Sequence, residues 1–326
     1  MKKLRKKLKS SYFVVNKVYL FLLFILFLIG DLALGFYYFL ISLFVYIWKI
    51  LRSKIPMEVS GSFHPQTYLY KETEDKDLKL DIYYPDTIRN KYPLVFFSHG
   101  GAWVSGFRNQ PNNVSWCRYL ASKGFAVASI DYRFGYKNNM DDILSDYTDA
   151  LEYIKENSNS LSIDKDNIVL MGLSAGAHLA LLYSTYYSFN KDTEKMKGIK
   201  GVVSYYAPTD LTCLLEFDNK SLFAKFATRQ TLKNSPSEKY DPYDYYSPIN
   251  WLSNNMVPTL LVHGKLDNTV PLKSSVDFAK ELKSFNIDYN LLIHKKGDHS
   301  FDTQLKDRAT INILRRTVIY IKKIIG

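Results

Sequence analysis

An α/β fold with a mostly parallel, doubly wound sheet of eight strands is what this 326-residue sequence predicts. Three observations carry that expectation. From Gln66 onward, apolar runs of strand length alternate with segments of helical periodicity. Several runs, such as Ile168-Val169-Leu170-Met171, are continuously apolar, as strands buried on both faces must be. Turn-rich connections separate them, and no internal repeat or low-complexity tract interrupts the pattern.

In chain order the strands are expected at 67–71, 78–84, 94–98, 125–130, 168–173, 200–206, 258–263 and 289–294. The alternation in Leu78-Lys79-Leu80-Asp81-Ile82-Tyr83 suggests a half-exposed edge strand. Helices are expected at about 110–123, 140–157, 175–187, 272–285 and 303–325. In the last, Ile311, Leu314, Val318, Ile321 and Ile325 recur every three or four residues, a core-facing stripe. The 47 residues from 211 to 257 exceed a plain connection, and their Phe, Tyr and Trp content predicts a lid insert.

One turn stands out chemically. Ser174 sits in Gly172-Leu173-Ser174-Ala175-Gly176, after an apolar strand and before the helical run Ala177-His178-Leu179-Ala180-Leu181-Leu182. A strand that turns through G-x-S-x-G into a helix kinks at the serine and projects its hydroxyl from the sheet. That hydroxyl becomes a useful nucleophile only beside a histidine, which needs a carboxylate to set its tautomer. Asp267 follows the strand Pro258-Thr259-Leu260-Leu261-Val262-His263-Gly264, and His299 follows Tyr289-Asn290-Leu291-Leu292-Ile293-His294. Both belong to loops at the sheet edge expected for Ser174, in the order Ser, Asp, His. Asp210 and Asp298 are rival acids. His263 and His294 read as core histidines inside strands, His178 as a packing residue, and His64 has no evident partner.

Acyl transfer also needs backbone N–H donors where charge builds on the carbonyl oxygen. Ala175 follows the nucleophile, and Gly100 and Gly101 sit in His99-Gly100-Gly101-Ala102-Trp103, directly after the strand Pro93-Leu94-Val95-Phe96-Phe97-Ser98. Paired glycines let those N–H groups swing toward a substrate.

Together with Asp131-Tyr132-Arg133, these motifs resemble the bacterial carboxylesterases of the α/β-hydrolase superfamily, over about residues 65–326. The likeness is greatest to the hormone-sensitive-lipase-like esterases and their H-G-G-x-W relatives, which include acetyl esterases and formamidases. Ala102-Trp103 stands where the lipase branch often has a third glycine, which favours the H-G-G-x-W side. The resemblance implies hydrolysis of small-molecule or lipid-like carboxylic esters through an acyl-enzyme. Amide hydrolysis by the same triad is the enzymatic alternative, and a non-catalytic binding protein is the other.

Composition bounds the rest. The net charge is +11, but residues 1–55 hold ten Lys or Arg against the single acid Asp31. The remainder, with 33 basic and 31 acidic residues, is nearly neutral and carries no footprint for nucleic acid. Two cysteines, Cys117 and Cys213, are too few for a disulfide framework. No Cys/His spacing suggests a metal, no Gly-rich phosphate loop follows a strand, and no cofactor is expected.

The charge surplus flanks an apolar stretch. Residues 18–48 carry one charge, Asp31, and exceed the roughly 20 apolar residues that span a bilayer. A tilted transmembrane helix within residues 1–55 is therefore expected ahead of a hydrolase domain at 56–326, with aromatics clustering toward the far end from Phe36 to Trp48. Seven basic residues precede the stretch and Lys49, Arg52 and Lys54 follow it, which for a single-pass signal anchor puts the hydrolase domain outside. A re-entrant hairpin turning at Gly30-Asp31 and a signal peptide cleaved near Ala33-Leu34-Gly35 are the alternatives.

Overall fold

The computed structural model describes residues 53–216, 219, 221–233 and 241–325, together with 20–22, 24–25, 36–41 and 44. The chain divides into two compact units, Met1–Ser53 and Lys54–Gly326. Most of the expected membrane segment at 18–48, and with it the choice between single span, hairpin and cleaved leader, lies outside the described residues. Among the described residues, no helix is long and apolar enough to cross a membrane.

The second unit is built on eight strands: β1 (Gln66–Lys71), β2 (Leu78–Tyr83), β3 (Tyr92–Ser98), β4 (Ala126–Ile130), β5 (Ile163–Leu173), β6 (Ile199–Tyr205), β7 (Thr259–Gly264) and β8 (Tyr289–His294). They form one sheet in the order β1-β2-β4-β3-β5-β6-β7-β8. β2 runs antiparallel to β1 and β4, and every pairing from β4 to β8 is parallel.

Successive residues of each strand point to opposite faces, so a continuously apolar strand feeds two cores at once. Phe96 meets the Tyr147 ring edge-on and belongs to the core that holds Leu151 and Leu179, whereas its neighbour Phe97 belongs to the core that holds Trp116 and Leu314. Among the described residues of this unit the helices are α1 (Pro111–Ala121), α2 (Met140–Glu156), α3 (Ala175–Phe189), α4 (Thr193–Met196), α5 (Leu222–Leu232), α6 (Pro242–Tyr245), α7 (Leu272–Ser284), α8 (Phe301–Gln304) and α9 (Arg308–Ile325). α2 starts on a capping box, in which Asn139 and Asp142 exchange side-chain and backbone hydrogen bonds.

Two expectations are corrected. The strand at 78–83 is neither at an edge nor half-exposed, because β1 covers its outer side and Asp81 is buried. The alternation misled because the Asp81 carboxylate is paired inside the protein: Arg108 Nε lies 3.0 Å from it and Thr67 Oγ1 donates at 2.6 Å. The helix expected at 303–325 is broken into α8 and α9. Leu305 leaves helical geometry, and Asp307 restarts the chain by accepting the Thr310 N–H at 2.9 Å. The apolar stripe of α9 is inward as expected at Leu314, Val318 and Ile321, with Ile311 and Ile325 at its half-buried margins.

Asp81→Ala would strand the Arg108 guanidinium with only Asp131 for company. The expected loss of unfolding free energy is about 3 kcal/mol, against about 1 kcal/mol for Thr67→Val, both measured by denaturant titration. Equal and negligible losses would return β2 to an exposed edge.

Candidate active site

Six parallel strands, β3 to β8, end at one edge of the sheet, and the loops beyond them carry every residue of interest. β5 leads straight into Ser174, whose backbone is held at φ 52° and ψ −117° before α3 begins. No ordinary L-residue rests there unless its surroundings compel it. The two flanking glycines are the means. A Cβ on Gly172 would lie 2.3 Å from the Gly176 carbonyl carbon, and one on Gly176 would lie 2.2 Å from the Ser98 carbonyl oxygen. Ser174 N–H donates to the Tyr205 carbonyl on β6 at 2.9 Å, and His178 N–H returns to the Ser174 carbonyl at 2.9 Å.

His299 bridges the serine and a carboxylate. Its Nε2 is 3.0 Å from Ser174 Oγ and its Nδ1 is 2.7 Å from Asp267 Oδ2. The carboxylate accepts, so Nδ1 carries the proton and Nε2 faces the hydroxyl as an acceptor. Asp267 Oδ1 is held by the N–H groups of Thr269 and Val270 at 2.8 and 2.9 Å. Burial alone would raise this carboxyl. The His299 charge and hydrogen bonds from His263 and His299 outweigh it and hold Asp267 well below the ordinary carboxylate range.

The rival acids are occupied elsewhere. Asp298 Oδ1 accepts the N–H groups of Asn268 and His299, tying the two loops together, while Asp210 caps Thr212.

Gly100 leans directly on the elbow: a Cβ there would stand 3.4 Å from Ser174 Cβ and 3.0 Å from the Leu173 carbonyl oxygen. Gly101 has φ +128°, and the Val104 and Ser105 N–H groups close a tight turn onto its carbonyl. The N–H groups of Gly100, Gly101 and Ala175 have no backbone acceptor among the described residues. Trp103 is buried and meets the His178 ring edge-on at 5.0 Å. His99 stacks on Tyr132 at 4.2 Å, and the Tyr132 hydroxyl donates to the His99 carbonyl at 2.8 Å. Asp131 pairs with Arg108, and Arg133 with Asp146 on α2, so the Asp131-Tyr132-Arg133 motif braces the glycine loop.

The remaining histidines fall largely where the sequence puts them. His178 is buried against the Tyr246 carbonyl, His294 bonds to Asp307 and Thr310, and His64 meets Ser62. His263 is a satisfied core residue, bonded to Ser275 and the Val270 carbonyl, and also approaches Asp267 Oδ2 at 3.3 Å. That second role was not foreseen. A glycine directly after His263, turning the chain so that Asp267 returns four residues later, was the available signal.

Tyr206 and Asp302 were missed as well. The Tyr206 ring lies 4.6 Å from the His299 ring, and its hydroxyl donates to buried Asp302, which also accepts from Trp116 Nε1. Only the fold brings these three together.

The insert between β6 and β7 touches the site's two flanks. Asn219 Nδ2 reaches the carbonyls of Leu214 and Thr269, beside Asp267, and Thr231 on α5 abuts Gly135, whose N–H donates to the Trp103 carbonyl. Phe217 and Tyr240 of the insert lie outside the described residues.

Fold and site together define an α/β hydrolase of the hormone-sensitive-lipase-like carboxylesterase group. The pattern of the BD-FAE family matches residues 80–282, and the chain belongs to that family. It is 27% identical over 246 residues to a probable isoprenylcysteine alpha-carbonyl methylesterase of Arabidopsis thaliana, covering 70% of this chain and 56% of that protein. It is 24% identical over 240 residues to the esterase LipC of Mycobacterium tuberculosis, covering 69% and 58% respectively. The chain thus spans little more than half the length of these curated relatives. Among solved structures, Thermogutta terrifontis esterase 2 phosphonylated by sarin superposes with a TM-score of 0.67 at 23% identity, covering 83% of this chain and 99% of that one. That likeness is one of fold.

The buried histidines beside the site make acid sensitivity predictable. Burial pushes His99 and His178 down from 6.5 to about 4. Between those values the unfolded chain binds protons that the folded chain refuses, so stability falls as pH falls, by about 1.4 kcal/mol per pH unit for each histidine. Asp267, shifted below the carboxylate range, adds nothing in this window. Urea titrations at pH 7, 6 and 5 should show the slope, and His178→Gln should remove about half of it.

Proposed function

We propose that the chain is a serine hydrolase of carboxylic esters, acting through an acyl-enzyme. The observation that carries this reading is His299 lying in hydrogen-bond reach of both Ser174 Oγ and Asp267 Oδ2. Ser174 Oγ attacks the ester carbonyl while His299 Nε2 takes its proton, and Asp267 stabilises the imidazolium. The N–H groups of Gly100, Gly101 and Ala175 receive the developing oxyanion, each such donor being worth about 3 kcal/mol of barrier. His299 then protonates the departing alkoxide. A water, deprotonated by the same nitrogen, attacks the acyl-serine and releases the acid. Relatives named as methylesterase and esterase favour esters over amides.

The same reading divides the chain into a basic, membrane-anchoring segment at 1–55 and a hydrolase domain at 56–326, with 211–257 as a lid. Support for the anchor is the 31-residue apolar stretch 18–48, and support for an outward-facing domain is the basic excess ahead of it. Support for the lid is the insert's hold on both flanks of Ser174.

Ser174→Ala should abolish hydrolysis of p-nitrophenyl acetate while the circular dichroism and melting curve stay those of the parent, because alanine removes only the hydroxyl. Wild-type turnover by that variant would refute the nucleophile. Asp267→Asn should cut kcat by about 10⁴, as a wrongly protonated imidazole does in serine proteases. Asp298→Asn, whose carboxylate only ties two loops, should cost far less, and the reverse ranking would move the acid to Asp298.

A further inference from the structure

Helix α5 is amphipathic the wrong way round. Its buried side is Ala224, Ala227, Thr228, Thr231 and Leu232, mostly small residues. Its large apolar residues point outward, with Leu222 73%, Phe223 51% and Phe226 57% exposed. Burying Phe inward and leaving Ala and Thr outside would be the ordinary arrangement for a helix on a water-facing surface. Leu222, Phe226, Arg229 and Lys233 fall at i, i+4, i+7 and i+11, so one stripe runs from apolar to basic, with Lys225 beside it. The helix has no acidic residue. Apolar side chains flanked by Lys and Arg on one exposed stripe are the pattern of a helix lying in a lipid interface, rings among the acyl chains and cations among the phosphates.

Its location adds to this. α5 lies in the insert that touches both flanks of Ser174, and exposed apolar neighbours stand at either end: Leu266 beside Asp267 and Tyr136 beside Gly135.

We infer that the exposed face of α5 docks on an anionic lipid surface and presents the mouth of the Ser174 site to esters held in that surface. The docking is independent of the reaction; its consequence for substrate rests on the esterase reading above. The occupant is lipid rather than a second copy of the chain because the stripe pairs apolar residues with cations only. A two-fold contact would gather Lys225, Arg229 and Lys233 of both copies into one interface with no acid on the helix to offset them.

The test uses the full chain reconstituted in vesicles of phosphatidylcholine and phosphatidylglycerol at 3:1. A nitroxide is attached at Phe226→Cys or, as control, at Ser284→Cys on the opposite edge of the sheet; Cys117 and Cys213 are buried. The label at 226 should collide with dissolved oxygen as acyl-chain labels do and be shielded from an aqueous nickel chelate, while the label at 284 stays accessible to the chelate. Adding Lys225→Glu and Arg229→Glu should return the 226 label to water, each lost cation weakening docking about fivefold. A 226 label as chelate-accessible as the control overturns the inference, as does spin–spin broadening at 226 without oxygen contact, which would mark a dimer face.

Turnover provides the second readout. Phe223→Ser with Phe226→Ser should slow hydrolysis of a vesicle-borne long-chain ester several-fold and leave a dissolved acetate ester untouched. Equal rates on vesicle-borne ester would overturn the claim that docking presents the site. A parent chain that hydrolyses neither ester refutes the esterase reading instead, and the label alone then judges α5.

Discussion

A serine held at φ 52° and ψ −117° is a strained residue, and the architecture around it is organised to keep it there. The strain is sustained by close approach on both sides. β5 and β3 bring Gly172 and Ser98 level in register, and α3 starts so near that Gly176 sits against the Ser98 carbonyl. The Ser98 hydroxyl donates to the Gly176 carbonyl at 2.8 Å, locking the first turn of the helix to the neighbouring strand. Any side chain at either glycine would push the helix away and let the serine relax. A fixed hydroxyl is what allows a histidine from a loop 125 residues later to find it at hydrogen-bond distance.

Around that hydroxyl the polar groups form two layers. The inner layer is His299 and Asp267. The outer layer is His263 and two N–H groups on Asp267, with the Tyr206–Asp302–Trp116 chain behind His299. Burying a carboxylate is costly unless its oxygens are satisfied. Asp267 meets that condition with four donors, and the same donors fix its orientation toward the imidazole. The glycine loop is treated likewise: His99, Tyr132 and Trp103 wall it in, and the ion pairs of Asp131 and Arg133 hold that wall to the sheet and to α2.

Much of this could be read from residues alone because the signals were local. The apolar run before Ser174, the small residues around it and the paired glycines after the third strand each declare a backbone geometry within five residues. Strand-loop positions for Asp267 and His299 follow from the same logic. Asp81 defeated it, since its polarity marked exposure when a cation 27 residues away had neutralised it. Tyr206 and Asp302 defeated it for a related reason: their partners are distant in sequence and no spacing connects them. The break before α9 depended on one carboxylate, Asp307, capping the Thr310 N–H three residues on. Helix α5 is the instructive reversal. Its periodicity is ordinary, and only the structure reveals that the apolar face is the outer one.

The central claim is that Ser174 is a nucleophile activated by its surroundings, and mapping of a covalent adduct tests it most directly. Full-length chain treated with a fluorophosphonate should gain one stoichiometric adduct in intact mass, and peptide mapping should put it on Ser174 among all the serines of the chain. Preincubation with a carboxylic ester should slow its formation. A chain that hydrolyses esters while remaining unlabelled, or one labelled at another residue with Ser174 unmodified, would contradict the account.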